Sequence, residues 1–202
     1  GDNTGYMQIQ GNATDAAKMG FIANTTAIPG KITKVVVKTF NQKYVPNFNL
    51  YLGTSANPTE NEMQAGAHSD AGVATGAGKL YTTTFNVTGD YTYFKMYNNT
   101  TGACYFDSIT IYYGESTGDE GGSEQPEQPE QPEPTPTPDP NPGDGPSITF
   151  SYADVVAQNS DLTTNGYGTQ NVTDESTWIN WTANDVTFKG AKVCNANGDN
   201  TG

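Results

Sequence analysis

The chain has 202 residues and a mass of 21.5 kDa, with 22 acidic side chains against nine lysines, no arginine and a formal charge of −13. Neutralising phosphates takes a basic face, and arginine is the commonest reader of base edges, so this composition excludes a nucleic-acid binder. No stretch approaches the roughly 20 apolar residues of a membrane helix, and 22 aromatic rings are too many for a chain without a core.

In chain order, strand-like runs fall at YMQIQ (6–10), KMGFIA (18–23), KITKVVVKTF (31–40), FNLYLG (48–53) and KLYTTTFNV (79–87). They continue at YTYFKMYN (91–98), YFDSITIYYG (105–114), SITFSY (147–152) and DVTFKGAKV (185–193). These runs are rich in β-branched and aromatic residues, which fit a pleated, half-buried surface. Successive strand side chains point to opposite faces. Phe48, Leu50 and Leu52 therefore share a face, as do Tyr105, Ile109, Ile111 and Tyr113. In 91–98, Tyr91, Tyr93, Lys95 and Tyr97 stand opposite Phe94 and Met96. Turn residues punctuate the runs at Pro29-Gly30, Asn57-Pro58, Gly89-Asp90 and Asn197-Gly198. Only Tyr152 to Asn159 has the makings of a helical turn.

Residues 115–146 hold nine of the acids, nine of the twelve prolines and no lysine. Proline removes backbone donors and fixes φ, and repulsion between glutamates extends the chain, so this composition predicts a disordered linker, semi-rigid at about 3.1 Å per residue. The remaining residues carry 13 acids against nine lysines, a net charge of −4, so the acidity is mainly the linker's and points to no cationic substrate. The chain opens without Met or a leader-like run, which reads as a mature form or an excised piece.

Gly1-Asp2-Asn3-Thr4-Gly5 recurs as Gly198-Asp199-Asn200-Thr201-Gly202. Joining end to beginning gives VTFKGAKVCNANGDNTGYMQIQGN, two strand-like runs across one polar turn. A flank of 56 residues is marginal as a domain, whereas the two flanks together reach a comfortable sandwich size. The expectation is an all-β, antiparallel β-sandwich, jelly-roll-like, assembled from two flanks. Residues 1–114 form its larger part, 115–146 the linker, and 147–202 either the smaller part of the same sandwich, permuted, or the start of the next repeat. In such an arrangement Ile148–Tyr152 lies beside Ile109–Tyr113.

The run Lys31-Ile32-Thr33-Lys34-Val35-Val36-Val37, the run from Phe48 through Leu52-Gly53-Thr54 to Asn57-Pro58, and the closing Asp107-Ser108-Ile109-Thr110-Ile111 resemble β-sandwich modules of large secreted or surface proteins of gut bacteria. The resemblance covers nearly all of both flanks. It implies an accessory or adhesive module outside the cell, secreted or at the surface, and brings no functional residue with it.

Candidate chemistry is sparse. The single histidine, His68, lies in the polar run Ala67-His68-Ser69-Asp70, and a triad is assembled through the fold together with an oxyanion hole, not from sequence neighbours. Glycoside cleavage needs two carboxylates facing each other across a cleft, and the spacing of Asp107, Asp154, Asp161, Asp174 and Glu175 marks no pair. The chain is read as non-catalytic. No cofactor is implied. A structural calcium ion is the one metal to weigh: Asn195, Asn197 and Asp199 alternate as the first ligands of a calcium loop do, but Asn200 replaces the expected glycine and no bidentate glutamate follows. Asp174-Glu175 is a further oxygen-rich loop. Cys104 and Cys194 are too few for a zinc site; they are either a disulfide joining the two flanks or two buried thiols.

The aromatic residues are the stronger lead. Tyr91, Tyr93 and Tyr97 are expected as an outward stripe if Phe94 and Met96 face the core. Trp178 and Trp181, three apart, point to opposite strand faces, so one is core and Trp178 joins the candidate surface. Flat rings with polar tips suit sugar rings, whose apolar faces stack while their hydroxyls need partners. The partner is therefore expected to be a glycan or another cell-surface polymer, with neither nucleic acid nor membrane insertion. The alternative is a homo-oligomer in which the smaller flank is exchanged between chains, as in strand donation.

Overall fold

The computed structural model describes residues 6–12, 14–15, 18–39, 45–58, 67–69, 81–114, 145–159, 162 and 171–196. Before the acidic segment lie β1 (Tyr6–Ile9), β2 (Phe21–Asn24), β3 (Ile32–Thr39), β4 (Phe48–Gly53), β5 (Ala67–Ser69), β6 (Tyr81–Asn86), β7 (Tyr93–Asn98) and β8 (Cys104–Tyr113). After it come β9 (Ser147–Ser151), helix α1 (Tyr152–Gln158), a 3-10 turn at Glu175–Thr177, β10 (Ile179–Ala183), β11 (Val186–Ala191) and β12 (Val193–Ala196). Among the described residues no helix is long and apolar enough to cross a membrane.

The strands make two antiparallel sheets, as the all-β sandwich expectation requires. Sheet A runs β12-β1-β8-β3-β6-β5, with β9 also on β8; sheet B runs β10-β11-β2-β7-β4. The orders β1-β8-β3-β6 and β2-β7-β4 have jelly-roll-like wiring, in which the chain alternates between sheets and returns beside earlier strands. Both flanks enter both sheets. Sheet A takes β9 and β12 from residues 147–196, and sheet B takes β10 and β11. One edge of β8 pairs Cys104–Phe106 with β1 and Ser108–Tyr112 with β9, so those two strands lie end to end. The Tyr113 N–H donates to the Pro146 carbonyl at 3.0 Å, and Tyr112 is opposite Ser147. The acidic segment therefore leaves and re-enters at the same end of sheet A; its residues 115–144 lie outside the described ones. At the other edge of β1, Tyr6 to Ile9 pair with Ala196 to Val193.

Local chemistry explains most boundaries. Ser151 caps α1: its hydroxyl accepts from the Asp154 N–H and the Asp154 carboxylate accepts from the Ser151 N–H, a reciprocal box that ends β9 and starts the helix. The hairpin β10–β11 turns on Asn184 and Asp185, both with positive φ (46° and 62°), the conformation of a two-residue primed turn. Lys192, at φ 55°, breaks the run after β11 and carries the chain from sheet B to sheet A. Gly30 sits so close to β8 that a Cβ there would stand 1.8 Å from the Gly114 carbonyl oxygen. At Asp107 the chain bulges: Lys38 is opposite Ser108, but Thr39 is opposite Phe106. The extra residue reverses which face is which, so Cys104 and Phe106 are core together with Ile109 and Ile111. The expected grouping of Tyr105 with Ile109 and Ile111 is thereby corrected; Tyr105 falls on the opposite face.

The core between the sheets is mostly aromatic and aliphatic. Phe48, Leu50, Leu52, Phe94 and Met96 of sheet B face Met7, Ile9, Val35, Val37, Phe106, Ile109 and Ile111 of sheet A. The smaller flank adds Ile148, Phe150, Trp181, Val186, Phe188 and Val193 to the same cluster. The Phe150 ring lies tilted against Phe188 at 4.7 Å and edge-on to Trp181 at 5.3 Å, ring centre to ring centre.

Candidate functional site

The outward face of sheet B carries the clearest surface. Its centre is β2, where Ile22 and Asn24 turn into the core while Phe21 and Ala23 turn outward. Antiparallel register then sets two rows across the sheet. In one, Ala191, Phe21, Tyr97 and Asn49 follow one another across β11, β2, β7 and β4. In the other, Asn180, Lys189, Ala23, Lys95 and Tyr51 run across all five strands. The small Ala23 leaves room on either side for two lysine stems.

An aromatic cluster gathers about the Phe21 and Tyr97 of the first row. Phe21 is fully buried at its base, with the half-buried Tyr97 tilted against it at 5.4 Å and Trp178 edge-on at 4.9 Å. Tyr51 meets Tyr97 at 5.5 Å. Trp178 is held by the turn before β10. The Asp174 carboxylate caps that turn by accepting from the Ser176 N–H and hydroxyl, and the Trp178 indole N–H donates to the Asn171 carbonyl at 2.8 Å. Ala23, Ala191 and Val172 complete the apolar bed.

The second row supplies charge. The Lys95 ammonium stands 4.3 Å from the Phe21 ring centre and 5.1 Å from that of Tyr97, and it donates to Asn57 Oδ1 at 2.8 Å. The Lys189 ammonium stands 4.4 Å from the Trp178 ring centre. Lys95 is 8% exposed and Lys189 7%, and among the described residues no carboxylate is within ion-pair distance of either. Cation–π contact offsets part of the cost of holding these charges out of water, but not a missing counter-charge. Burial accordingly lowers the Lys95 pKa to about 8, helped by the like charge of Lys189 and opposed by Glu175. Lys189 is shifted down for the same first reason, again opposed by Glu175.

Of the residues singled out in the sequence, Tyr93 and Tyr97 stand on the outward face and Phe94 and Met96 in the core. Trp178 joins Tyr97 through Phe21, and Trp181 is the buried one of the two tryptophans. Tyr91 does not extend the stripe. β7 begins only at Tyr93, and the Tyr91 ring packs on the main core. Phe21, Tyr51, Lys95 and Lys189 are site residues beyond the sequence-derived set, except that Lys95 was placed on this face.

Two of the carboxylates singled out have local duties. Asp154 and Asp174 cap α1 and the 3-10 turn, and hydrogen bonding to Ser151 lowers the Asp154 pKa. Asp107 occupies the exposed bulge of β8. Asp161, Asn197 and Asp199 lie outside the described residues, as do the side chains of His68 and Asn195. Among the described residues no three His, Cys, Asp or Glu side chains gather as a metal site.

The disulfide between Cys104 and Cys194 is not formed; both are free, buried thiols. Cys104 and Val193 both lie opposite Ile9, whereas Cys194 lies opposite Gln8, so the two cysteines point to opposite faces of sheet A. They are also two strands apart, roughly 9–10 Å, beyond the Cα reach of a disulfide. Burial pushes the Cys104 thiol up to about 12, against hydrogen bonds with Thr100 (3.2 Å) and Asn98 (3.4 Å). The folded protein is expected to react slowly with a thiol reagent and to release two thiols on denaturation without reductant. A denatured chain with no titratable thiol contradicts this.

Fold and surface together define an antiparallel β-sandwich that presents an aromatic, lysine-bearing sheet face. Compared with protein-family models, curated proteins and solved structures, the chain matches none.

Proposed function

We propose that this chain is a non-catalytic, carbohydrate-contacting sandwich module of a secreted or cell-surface protein, and that the outward face of sheet B is its contact surface. The observation that carries the reading is the convergence of Tyr97 and Trp178 on Phe21, with Tyr51 behind, the first on a strand of sheet B and the second on the capped turn before β10. Rings held by a rigid sheet bind at little ordering cost, and their edges leave room for polar partners to sugar hydroxyls. The extracellular placement follows the resemblance of the 31–37, 48–58 and 107–111 runs to surface modules. A shallow site of this kind binds weakly alone and gains strength from repetition along an array.

Tyr97→Ala and Trp178→Ala are each expected to weaken retention on immobilised glycans about tenfold or more, about 1.4 kcal/mol, while the domain stays folded. Both rings border solvent, so folding is checked by thermal melts. Retention equal to that of the unmodified protein removes this face from the binding account.

A second reading, homotypic assembly, is favoured by one observation: four strands of the smaller flank complete both sheets of the larger one. The same strands seated in a neighbouring chain would link copies head to tail. Light scattering across a dilution series separates the two, since a closed sandwich keeps a monomer mass and exchange makes mass rise with concentration.

A further inference from the structure

Two lysines, both buried as residues, share one row of a surface whose neighbouring row is aromatic. A buried charge is ordinarily paired. Here the Lys95 head has a neutral amide oxygen, Asn57 Oδ1, and the Lys189 head an indole face. Glu175 is close enough to be felt by both lysines yet forms an ion pair with neither. Elsewhere on the described surface the protein does form ion pairs, Lys18 with Asp15 at 2.9 Å and Lys31 with Asp90 at 3.7 Å. Among the described residues this face lacks a counter-charge, which a bound ligand could supply.

We infer that the ligand of the sheet B face is an acidic glycan whose sugar rings carry carboxylates, with the ring stacking on Tyr97 and Trp178 and the carboxylate lying between Lys95 and Lys189. This inference rests on the proposed function and names its substrate class. Neutral sugars would leave both ammoniums unpaired, and a fully hydrated small anion would forgo the aromatic row. The chain's overall charge of −13 opposes approach of such a ligand, so the attraction is local to the lysine pair. The titratable groups facing the pair are Glu175 from the turn, Tyr51 from β4, and Tyr93 and Tyr97 from β7; Asp174 of the same turn is engaged by Ser176. Burial holds the Lys95 pKa down at about 8, so affinity for a carboxylate is expected to fall as pH rises through that value.

The test is calorimetric titration of the full chain with galacturonic-acid oligomers, a neutral oligosaccharide of equal length, and a sulfated one. The proteins are the unmodified chain, Lys95→Met, Lys189→Met and Trp178→Ala; methionine keeps an apolar stem, and thermal melts confirm folding. The expected result is a preference for the carboxylated oligomer, reduced about tenfold or more by either lysine substitution and weakened by added salt. Trp178→Ala is expected to weaken it as well. If the neutral oligomer binds as tightly and Lys→Met changes nothing, the acidic class is overturned while the aromatic face stands. If the sulfated oligomer is preferred, the carboxylate assignment is overturned. If none of the three binds, the inference and the proposed function fall together.

Discussion

Replacing Phe150 by alanine is expected to lower stability by about 3–5 kcal/mol, the range for removing a large aromatic side chain from a packed core. Phe150 is 1% exposed and lies opposite Ile109 of β8, with Phe188 and Trp181 against its ring. It belongs to the smaller flank by sequence but is buried in the cluster both flanks share. The loss should therefore lower the urea midpoint of a single transition in which both flanks unfold together, with the denaturant slope unchanged. Against a typical total stability of about 5–15 kcal/mol this is a large fraction. Two separate transitions, with the residues before 115 unaffected, would mean that the flanks fold independently.

Asn24→Leu is expected to cost about 3 kcal/mol or more, although it adds apolar bulk to a core position. The Asn24 amide donates to the Thr26 and Thr92 carbonyls at 2.7 and 3.0 Å, and its oxygen accepts from the Phe94 N–H at 2.7 Å. The residue is fully buried and ties the end of β2 to the following loop and to β7. Leucine leaves the buried Phe94 N–H without its acceptor, at about 1–3 kcal/mol, and removes two further hydrogen bonds to the Thr26 and Thr92 carbonyls, of which the second keeps the Ile28 N–H. Asn24→Asp keeps the acceptor for the Phe94 N–H but sets a buried carboxylate oxygen against two carbonyls, so it should be less stable near neutral pH than in acid, where a proton restores one donor. Chemical denaturation of both variants checks the order; a leucine variant as stable as the parent would show that water enters to satisfy these groups.

Much of the fold was legible because alternation is a local property. The nine sequence-derived runs all contain strands, the core faces of 48–53 and 93–98 follow their periodicity, and β9 lies beside β8 as expected. What was missed depended on features without a strong local mark. β10 ends in a turn made by Asn184-Asp185, positive φ without the glycine that usually announces it. The bulge at Asp107 reverses the faces of β8 with no break in its hydrophobic run. For the site, Tyr97, Lys95 and Trp178 could be assigned an outward face one strand at a time. Phe21 sits in the uniformly buried run FIAN, where period gives no direction, and Lys189 lies some 94 residues beyond Lys95. Only the cross-strand register of β11, β2 and β7 brings the two lysines onto one row, and pairing over such separations is not written in composition. Asn24 and Asn98 are polar residues that nothing local marks as core, yet both are buried hydrogen-bond hubs.

The account's central claim is that the outward face of sheet B is where ligand sits, and Trp178 offers a direct reporter. Trp181, the other indole, is buried with its N–H unpartnered, so Trp181→Phe loses no hydrogen bond and leaves Trp178 as the single tryptophan. Fluorescence of that variant, titrated with galacturonic-acid oligomers, is the measurement to make. A saturable change in Trp178 emission, with the midpoint found by calorimetry, is the predicted result. Binding by calorimetry with unchanged Trp178 emission would place the ligand elsewhere and contradict the claim.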